Sequence, residues 1–142
     1  MAVSNVYLNF PGNTEEAFNF YKSVLGGEFI MVSRFGDRQE GDKLSEDDKK
    51  KIMHISLPIG AGTMIMATDA MESMGQTVTF GNNFYICLST DSEEESDKIF
   101  NGLSAGGKIE MKLEKTFWGS YFGSFTDKFG VKWMVDYAYN QQ

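Results

Sequence analysis

Two stretches of the chain carry nearly the same pattern about eighty residues apart: NTEEAFNFYKSVLGG at residues 13–27 and SEEESDKIFNGLSAGG at residues 92–107. Each stretch opens with polar and acidic residues, continues with apolar residues at helical spacing and ends at Gly-Gly. Each also follows a short apolar segment. Self-similarity at a fixed spacing usually marks a repeated supersecondary unit. The pattern therefore predicts a duplicated strand–helix–strand module.

The sequence pattern in the first half of the chain predicts one helix and four strands. Residues 6–10 alternate in polarity, which places Tyr7 and Asn9 on one face of a strand. A helix is predicted near residues 14–25, with Asn13 and Glu16 as a capping box. Its buried stripe is predicted to be Ala17, Phe20, Tyr21 and Val24. The other strands are predicted at residues 28–35, 51–58 and 63–68.

Residues 36–50 form a polar stretch between two predicted strands. We interpret it as a solvated loop with a short helical turn that begins after Ser45, with a mobile lid as the alternative.

The second half repeats the order of the first. A strand at residues 84–89 precedes a helix near residues 92–104, with Ser92 and Glu95 as its capping box and Ile99, Phe100 and Leu103 as its buried stripe. Strands are predicted at residues 108–113, 117–125 and 131–138, with a turn at residues 127–130. The sequence therefore predicts an α+β single domain over residues 1–142, made of two βαβββ modules at about 1–69 and 80–142 that residues 70–79 join.

Composition narrows the classes of partner. The chain has 142 residues, 42% of them hydrophobic, which is enough for a packed core. No apolar run is long enough to span a bilayer. The net charge of −7 disfavours nucleic acid and anionic membranes as partners. The first five residues lack the features of a secretion signal and Cys87 is the single cysteine, so we expect a cytoplasmic protein.

Five stretches carry a resemblance to a known family: YLNF at residues 7–10, AFNFY at 17–21, KIMHISL at 51–57, FWGSYFG at 117–123 and TDKFGVKW at 126–133. They resemble the vicinal-oxygen-chelate superfamily, which has the glyoxalase and bleomycin-resistance fold, and within it the PhnB-like branch. The resemblance covers nearly the whole chain. It implies curved mixed sheets, a homodimer and a cleft for a small molecule.

The resemblance also implies four positions at which metal enzymes of the superfamily carry ligands. They fall at Val6 or Tyr7, within residues 65–69, at Phe84 or Tyr85, and near Met134. The usual histidine and glutamate ligands are absent from these positions. With one histidine and one cysteine in the chain, the donors that transition metals prefer are few. Asp69 and Asp136 are candidate oxygen ligands that ordinary surface acids also explain, and we expect no metal and no cofactor.

His54 is the most prominent candidate residue, because it shares the polar face of its predicted strand with Ser56, opposite Met53, Ile55 and Leu57. A histidine suits proton abstraction at neutral pH. The alternative is a structural histidine bonded between strands or placed at a dimer contact. Cys87 has no activating neighbour in the sequence, so we interpret it as an inert, buried thiol.

Aromatic residues on or beside the predicted strands favour an apolar cleft with a few polar groups. We expect His54 and Trp118 on one cleft wall, and methionines such as Met64 and Met66 either in the core or along the cleft. The predicted ligand-binding residues are Tyr7, Asn9, Arg34, His54, Tyr85, Trp118 and Phe122.

Three function classes are consistent with the sequence. The first is a PhnB-like protein that binds a small molecule without a complete metal site. The second is a metal-dependent or His54-based lyase, isomerase or dioxygenase-like enzyme, and the third is a structural or protein-binding domain. Some relatives carry a methyltransferase label, but the sequence has no glycine-rich cofactor loop that opens a parallel sheet, so we reject that activity.

Overall fold

The computed structural model describes residues 1–38 and 43–139. The chain divides into two compact units, residues 1–79 and 80–142. None of the helices within the described residues is long and apolar enough to cross a membrane. Residues 39–42 of the predicted loop lie outside the described residues.

Within its described residues, the first unit contains a four-stranded mixed sheet and two α-helices. Its elements are β1 (Val6–Phe10), α1 (Thr14–Leu25), β2 (Met31–Arg34), α2 (Glu46–Lys50), β3 (Ile52–Gly60) and β4 (Thr63–Asp69). The strand order is β1-β4-β3-β2, with β1 parallel to β4 and the other pairs antiparallel. Helix α1 packs on β3 and β4.

The second unit has the same topology. Its elements are β5 (Ile86–Ser89), α3 (Glu93–Ser104), β6 (Lys108–Lys115), β7 (Ser120–Thr126) and β8 (Lys132–Ala138). The strand order is β5-β8-β7-β6, and again only the first pair is parallel. Helix α3 packs on β6, β7 and β8. The predicted α+β fold of two βαβββ modules is confirmed.

Each unit has its own core between the helix and one face of the sheet. In the first unit Phe18 of α1 makes edge contacts with Phe10 and Tyr21, at ring-centroid distances of 6.3 and 5.6 Å. In the second unit Phe100 of α3 meets Phe125 of β7 at 5.1 Å. All of these residues are buried. The core of each unit is thus a layer of large side chains that alternate onto the helix side of the strands.

The helix predictions are correct in extent and partly wrong in detail. The buried residues of α1 are Thr14, Ala17, Phe18 and Tyr21, whereas Phe20 and Val24 are partly exposed. The period is the predicted one, but the stripe is rotated because α1 lies across the sheet with Phe18 rather than Phe20 pointing into the core. The predicted Gly-Gly end is confirmed, because Gly26 has a φ of 81° and its N–H donates to the Lys22 carbonyl.

Of two local predictions at the ends of strands, one differs from the structure and one is confirmed. Strand β7 begins at Ser120, so Phe117 and Trp118 lie in the β6–β7 turn and not in a strand. The turn is closed by Thr116, whose N–H and hydroxyl both donate to the Ser120 carbonyl at 2.8 Å. The short helix after Ser45 is confirmed as α2, and the Ser45 hydroxyl accepts a hydrogen bond from the Asp48 N–H at 3.1 Å.

Candidate functional site

The face of each sheet that points away from the helix is called here the open face. In the first unit strand alternation places Tyr7 of β1, Ser33 of β2, His54 of β3 and Met66 of β4 on this face. Tyr7 lies opposite Met66, and Ser33 lies opposite His54. Because directly opposed residues in a sheet point to the same side, these side chains share one surface.

Tyr7 and His54 contact each other on the open face of the first unit. The Tyr7 hydroxyl lies 3.3 Å from His54 Nδ1, and the ring centroids are 5.7 Å apart at an interplanar angle of 43°. Tyr7 is 48% exposed and His54 is half-buried. The structure therefore brings two of the predicted site residues together across the intervening strand β4.

Sequence reasoning missed Ser33, the neighbour of His54. Its hydroxyl oxygen is buried and has no hydrogen-bond partner among the described residues. Buried polar atoms are nearly always paired with protein or water, so an unpaired hydroxyl next to an imidazole marks a place where a bound group can donate or accept. Serine is common in strands and loops alike, and only the cross-strand register to His54 reveals this position.

Arg34 lies away from the open face. It donates two hydrogen bonds to the Glu15 carboxylate of α1, at 3.0 and 2.7 Å, and a third to the Lys50 carbonyl at 2.8 Å. The Glu15 carboxylate raises the pKa of Arg34, and the guanidinium in turn lowers the pKa of Glu15. Arg34 thus ties α1 to the segment before β3. Asn9 is exposed on the same face of β1 as Tyr7.

The predicted aromatic residues of the second unit lie at two separate places. Trp118 makes an edge contact with Phe122 at a centroid distance of 5.9 Å and with Phe117 at 5.0 Å. Phe117 is 98% and Trp118 55% exposed. Phe122 lies opposite Asp136 on the open face of the second sheet. These three rings form an exposed aromatic cluster beside the β6–β7 turn.

Tyr85 belongs to a polar network that the sequence did not reveal. Its hydroxyl donates to Glu110 Oε1 at 2.7 Å, and Lys132 Nζ donates to Glu110 Oε2 and, at 2.9 Å, to the Thr126 hydroxyl. Hydrogen bonds from Lys132 and Tyr85 lower the pKa of Glu110, and the Glu110 carboxylate raises the pKa of both partners. Glu110 therefore stays ionised at neutral pH, and the network connects β6, β7 and β8 to the residue before β5.

Cys87 differs from its prediction as a buried thiol, because the residue is exposed. The reason is that its side chain points to the open face, opposite Met134 of β8. Packing still desolvates the thiol in part, and this effect together with the Asp136 carboxylate raises the pKa of Cys87. A raised pKa leaves little thiolate at neutral pH, so the residue is a poor nucleophile.

A pocket of about 300 Å³ lies beyond the ends of β1 and β4 in the first unit. It is separate from the Tyr7–His54 pair. Its lining residues are Pro11, Lys51, Ala70, Glu72, Gln76, Thr77 and Val78.

This geometry defines a class of protein, namely an α+β protein of duplicated βαβββ modules whose open sheet faces carry a few polar groups. The chain belongs to the Glyoxalase/Bleomycin resistance protein/Dioxygenase superfamily, since the sequence model of that family matches residues 5–135.

Three relatives cover nearly the full length of the chain. Protein YjdN of Escherichia coli (strain K12) is 36% identical, over 95% of each chain. Protein PA1353 from Pseudomonas aeruginosa is 38% identical over 97% of this chain and 98% of its own, with a TM-score of 0.84. The PhnB protein from Bacillus cereus is 28% identical over 96% of this chain and 100% of its own, with a TM-score of 0.77. The resemblance to the PhnB-like branch is confirmed.

The residues at the ligand positions that the superfamily implies do not fit a metal site of the usual kind. Asp69, the one acid at the second position, is 2% exposed, and its two oxygens accept hydrogen bonds from the Thr14 N–H at 3.0 Å and the Ile52 N–H at 2.8 Å. Both oxygens of this carboxylate are engaged by the backbone. Tyr7, Tyr85 and Met134 supply a weak donor set at the other positions. Within the described residues, no three histidine, cysteine, aspartate or glutamate side chains are grouped as metal ligands would be.

Proposed function

We propose that the protein is a PhnB-like binder of a small amphipathic organic molecule, which it holds on the open face of its first sheet. The observation that supports this proposal is the Tyr7–His54 contact beside the unpaired Ser33 hydroxyl. Small-molecule sites are mostly apolar with a few polar groups that orient the ligand. Tyr7, His54 and Ser33 supply such polar groups on one surface.

The apolar part of this site is supplied by methionines. Met31 is 50% exposed and lies opposite Ser56, and Met66 lies opposite both Ser56 and Tyr7. Thioether side chains are flexible and polarisable, so they adapt to ligands of different shape. We extend the proposal to the open face of the second unit, where Phe122 and Trp118 offer aromatic surface. In both units the helix side is already filled by the core.

Binding is tested with the fluorescent amphipathic anion 8-anilinonaphthalene-1-sulfonate and with native mass spectrometry of protein purified without chelator. We expect saturable dye binding, which His54→Ala and Phe122→Ala each weaken by about fivefold or more, equal to about 1 kcal/mol. Lys98→Ala on the exposed surface of α3 is the matched control and leaves the affinity unchanged. Dye affinity that is equal in all four proteins, with no retained organic molecule, would contradict the proposal.

The second candidate function is a His54-based enzyme, which the half-exposed imidazole on the open face favours. A histidine side chain can serve as a general base in catalysis. The test is turnover of the hemithioacetal of methylglyoxal and glutathione, with and without added nickel or zinc. Turnover by the wild-type protein that is lost in His54→Ala would show that the protein is an enzyme and would contradict the proposal of a binder. We expect no turnover above background.

We further propose that the chain forms a homodimer. Strands β2 and β6 are edge strands of their sheets, and both carry exposed apolar residues, Met31 and Val32 in the first and Ile109 and Met111 in the second. An edge strand has unpaired backbone N–H and C=O groups, and with exposed apolar side chains beside them it can pair with a strand of another chain. Light scattering on the eluting protein is expected to give twice the mass of one chain. A monomer mass at high concentration would exclude the dimer.

A further inference from the structure

We propose that Tyr7 is a positioning residue that sets the tautomer of His54, so that the imidazole presents its Nε2 as an N–H donor on the open face. This inference rests on the proposed function, because it states which chemical group of the ligand the site recognises. The expected ligand group is a hydrogen-bond acceptor such as a carbonyl, carboxylate or other oxyanion oxygen.

The contact depends on the sheet register. Tyr7 lies on β1 and His54 on β3, with β4 between them, so the tyrosine ring reaches over β4 to bring its hydroxyl to the imidazole. The hydroxyl meets Nδ1 and not Nε2. The rings are tilted by 43° at 5.7 Å, which leaves the face of the imidazole partly uncovered. The hydrogen bond with Tyr7 engages Nδ1 of the imidazole and leaves Nε2 without a contact to Tyr7.

The chemistry of the two groups gives the direction of the hydrogen bond. A neutral imidazole has one N–H donor and one acceptor nitrogen, and the partner of one nitrogen determines the state of the other. A phenol is a good donor to an unprotonated ring nitrogen. When Tyr7 donates to Nδ1, the proton of the neutral imidazole lies on Nε2. His54 then offers a donor to a ligand, and the unpaired Ser33 hydroxyl on the adjacent strand offers a second polar group.

The imidazole signals can be assigned without ambiguity, because the chain contains one histidine and therefore gives one imidazole spin system. The experiment records long-range 1H–15N spectra of the uniformly labelled full-length protein, without ligand, at a pH well above the midpoint of the His54 titration measured in the same series. The two ring nitrogens of each tautomer have distinct 15N shifts. The spectrum therefore reports the fraction of each tautomer directly.

We compare the wild-type protein with Tyr7→Phe, and with Tyr85→Phe as the matched control on the second unit. The expected result is a wild-type imidazole in the Nε2–H form and a roughly threefold or greater rise in the Nδ1–H fraction in Tyr7→Phe, the change that loss of one net hydrogen bond produces. Tyr85→Phe is expected to leave the His54 signals unchanged. Equal urea midpoints for the wild type and Tyr7→Phe show that the change is local.

Two results would overturn the inference: a wild-type imidazole that is mainly Nδ1–H, or identical tautomer fractions in wild type and Tyr7→Phe. The readout needs no ligand. A failure of this inference is therefore distinguishable from a failure of the dye-binding test of the proposed function.

Discussion

Asp69 stabilises a helix that begins 55 residues before it in the chain. Its carboxylate accepts a hydrogen bond from the N–H of Thr14, the first residue of α1, and a second one from Ile52 at the start of β3. A negative charge at a helix N-terminus is also favourable with respect to the helix dipole. The sequence-based interpretation of Asp69 as an ordinary surface acid is wrong, because its place at the end of β4 buries it against α1.

Asp69→Ala is expected to lower the free energy of unfolding by about 2 to 5 kcal/mol, because two buried backbone N–H groups lose their acceptor. Urea denaturation followed by circular dichroism measures the change. Asp91→Ala, at an exposed position before α3, is the control and is expected to change stability by less than about 0.5 kcal/mol. A loss at Asp69 no larger than at Asp91 would show that the carboxylate is dispensable.

The two repeated helices begin in different ways. In α3 the Ser92 hydroxyl accepts a hydrogen bond from the Glu95 N–H at 3.1 Å, and Glu95 Oε1 accepts from the Asp91 N–H at 2.8 Å. The predicted cap by Ser92 is therefore correct, although the return bond goes to Asp91. In α1 the side chain of Asn13 makes no capping hydrogen bond. The capping box predicted at Asn13 is wrong.

This difference predicts unequal effects of two matched substitutions. Ser92→Ala is expected to cost about 1 kcal/mol of unfolding free energy, the usual effect of removing an N-cap hydroxyl. Asn13→Ala is expected to cost less than about 0.5 kcal/mol, because its buried carbonyl oxygen is unpaired. Thermal or urea unfolding of both variants provides the measurement. The reverse order of the two losses would be inconsistent with the capping geometry.

Gly123 sets how closely α3 approaches the second sheet. A Cβ at this position would lie 2.7 Å from Phe100 Cε2 of α3 and 2.9 Å from the Leu113 backbone of β6. Real Cβ atoms do not approach other atoms so closely, and neither the buried ring nor the strand can move freely. Strand alternation alone places residue 123 on the helix side of the sheet. Only the close packing of α3 against the strand requires that this residue be glycine.

Gly123→Ala is expected to destabilise the protein by about 1 to 3 kcal/mol through overpacking. Gly60→Ala is the matched control, because a Cβ there would meet only the Thr63 hydroxyl at 3.8 Å. The control is expected to stay within about 0.5 kcal/mol of the wild type. If both variants unfold at the same denaturant concentration as the wild type, the close approach of α3 is not needed.

At the scale of the whole molecule, duplication of one module explains most of the architecture. Both units share their strand order, their parallel first pair and the side on which the helix packs. Their open faces differ, with a Tyr7–His54 pair on the first and a Glu110–Lys132 ion pair on the second. A common scaffold with different open faces is the arrangement expected when function is determined by side chains and not by the fold.

Metal ions provide a test on the whole protein. Zinc, nickel or manganese added to chelator-treated protein is expected to shift the melting temperature by less than about 1 °C, because the residues at the implied ligand positions are poor donors. Differential scanning fluorimetry over a range of metal concentrations measures the shift. Binding to the folded state at a hundredfold excess over the dissociation constant would add about 2.7 kcal/mol. A rise of several degrees would refute the expectation of no metal site.

Local patterns in the sequence predicted the helices, the strands, the turn at residues 127–130 and the duplication. They did so because hydrophobic periodicity, helix caps and Gly-Gly ends depend on residues within a few positions of one another. The Asp127 carboxylate shows this locality, since it accepts hydrogen bonds from the N–H groups of Phe129 and Val131.

The tertiary structure decided which side chains meet. Tyr7 contacts His54 across 47 positions, Asp69 binds Thr14 across 55, and Glu110 binds Lys132 across 22. Arg34 shows the same dependence on tertiary structure. The sequence suggested that this arginine contacts a ligand, whereas its guanidinium is bound to Glu15 of α1, away from the open face. Such pairs depend on sheet register and on how the helix packs, which no local period encodes. The sequence by itself therefore determined the fold and its repeat, whereas the polar contacts of the candidate site follow only from long-range strand pairing.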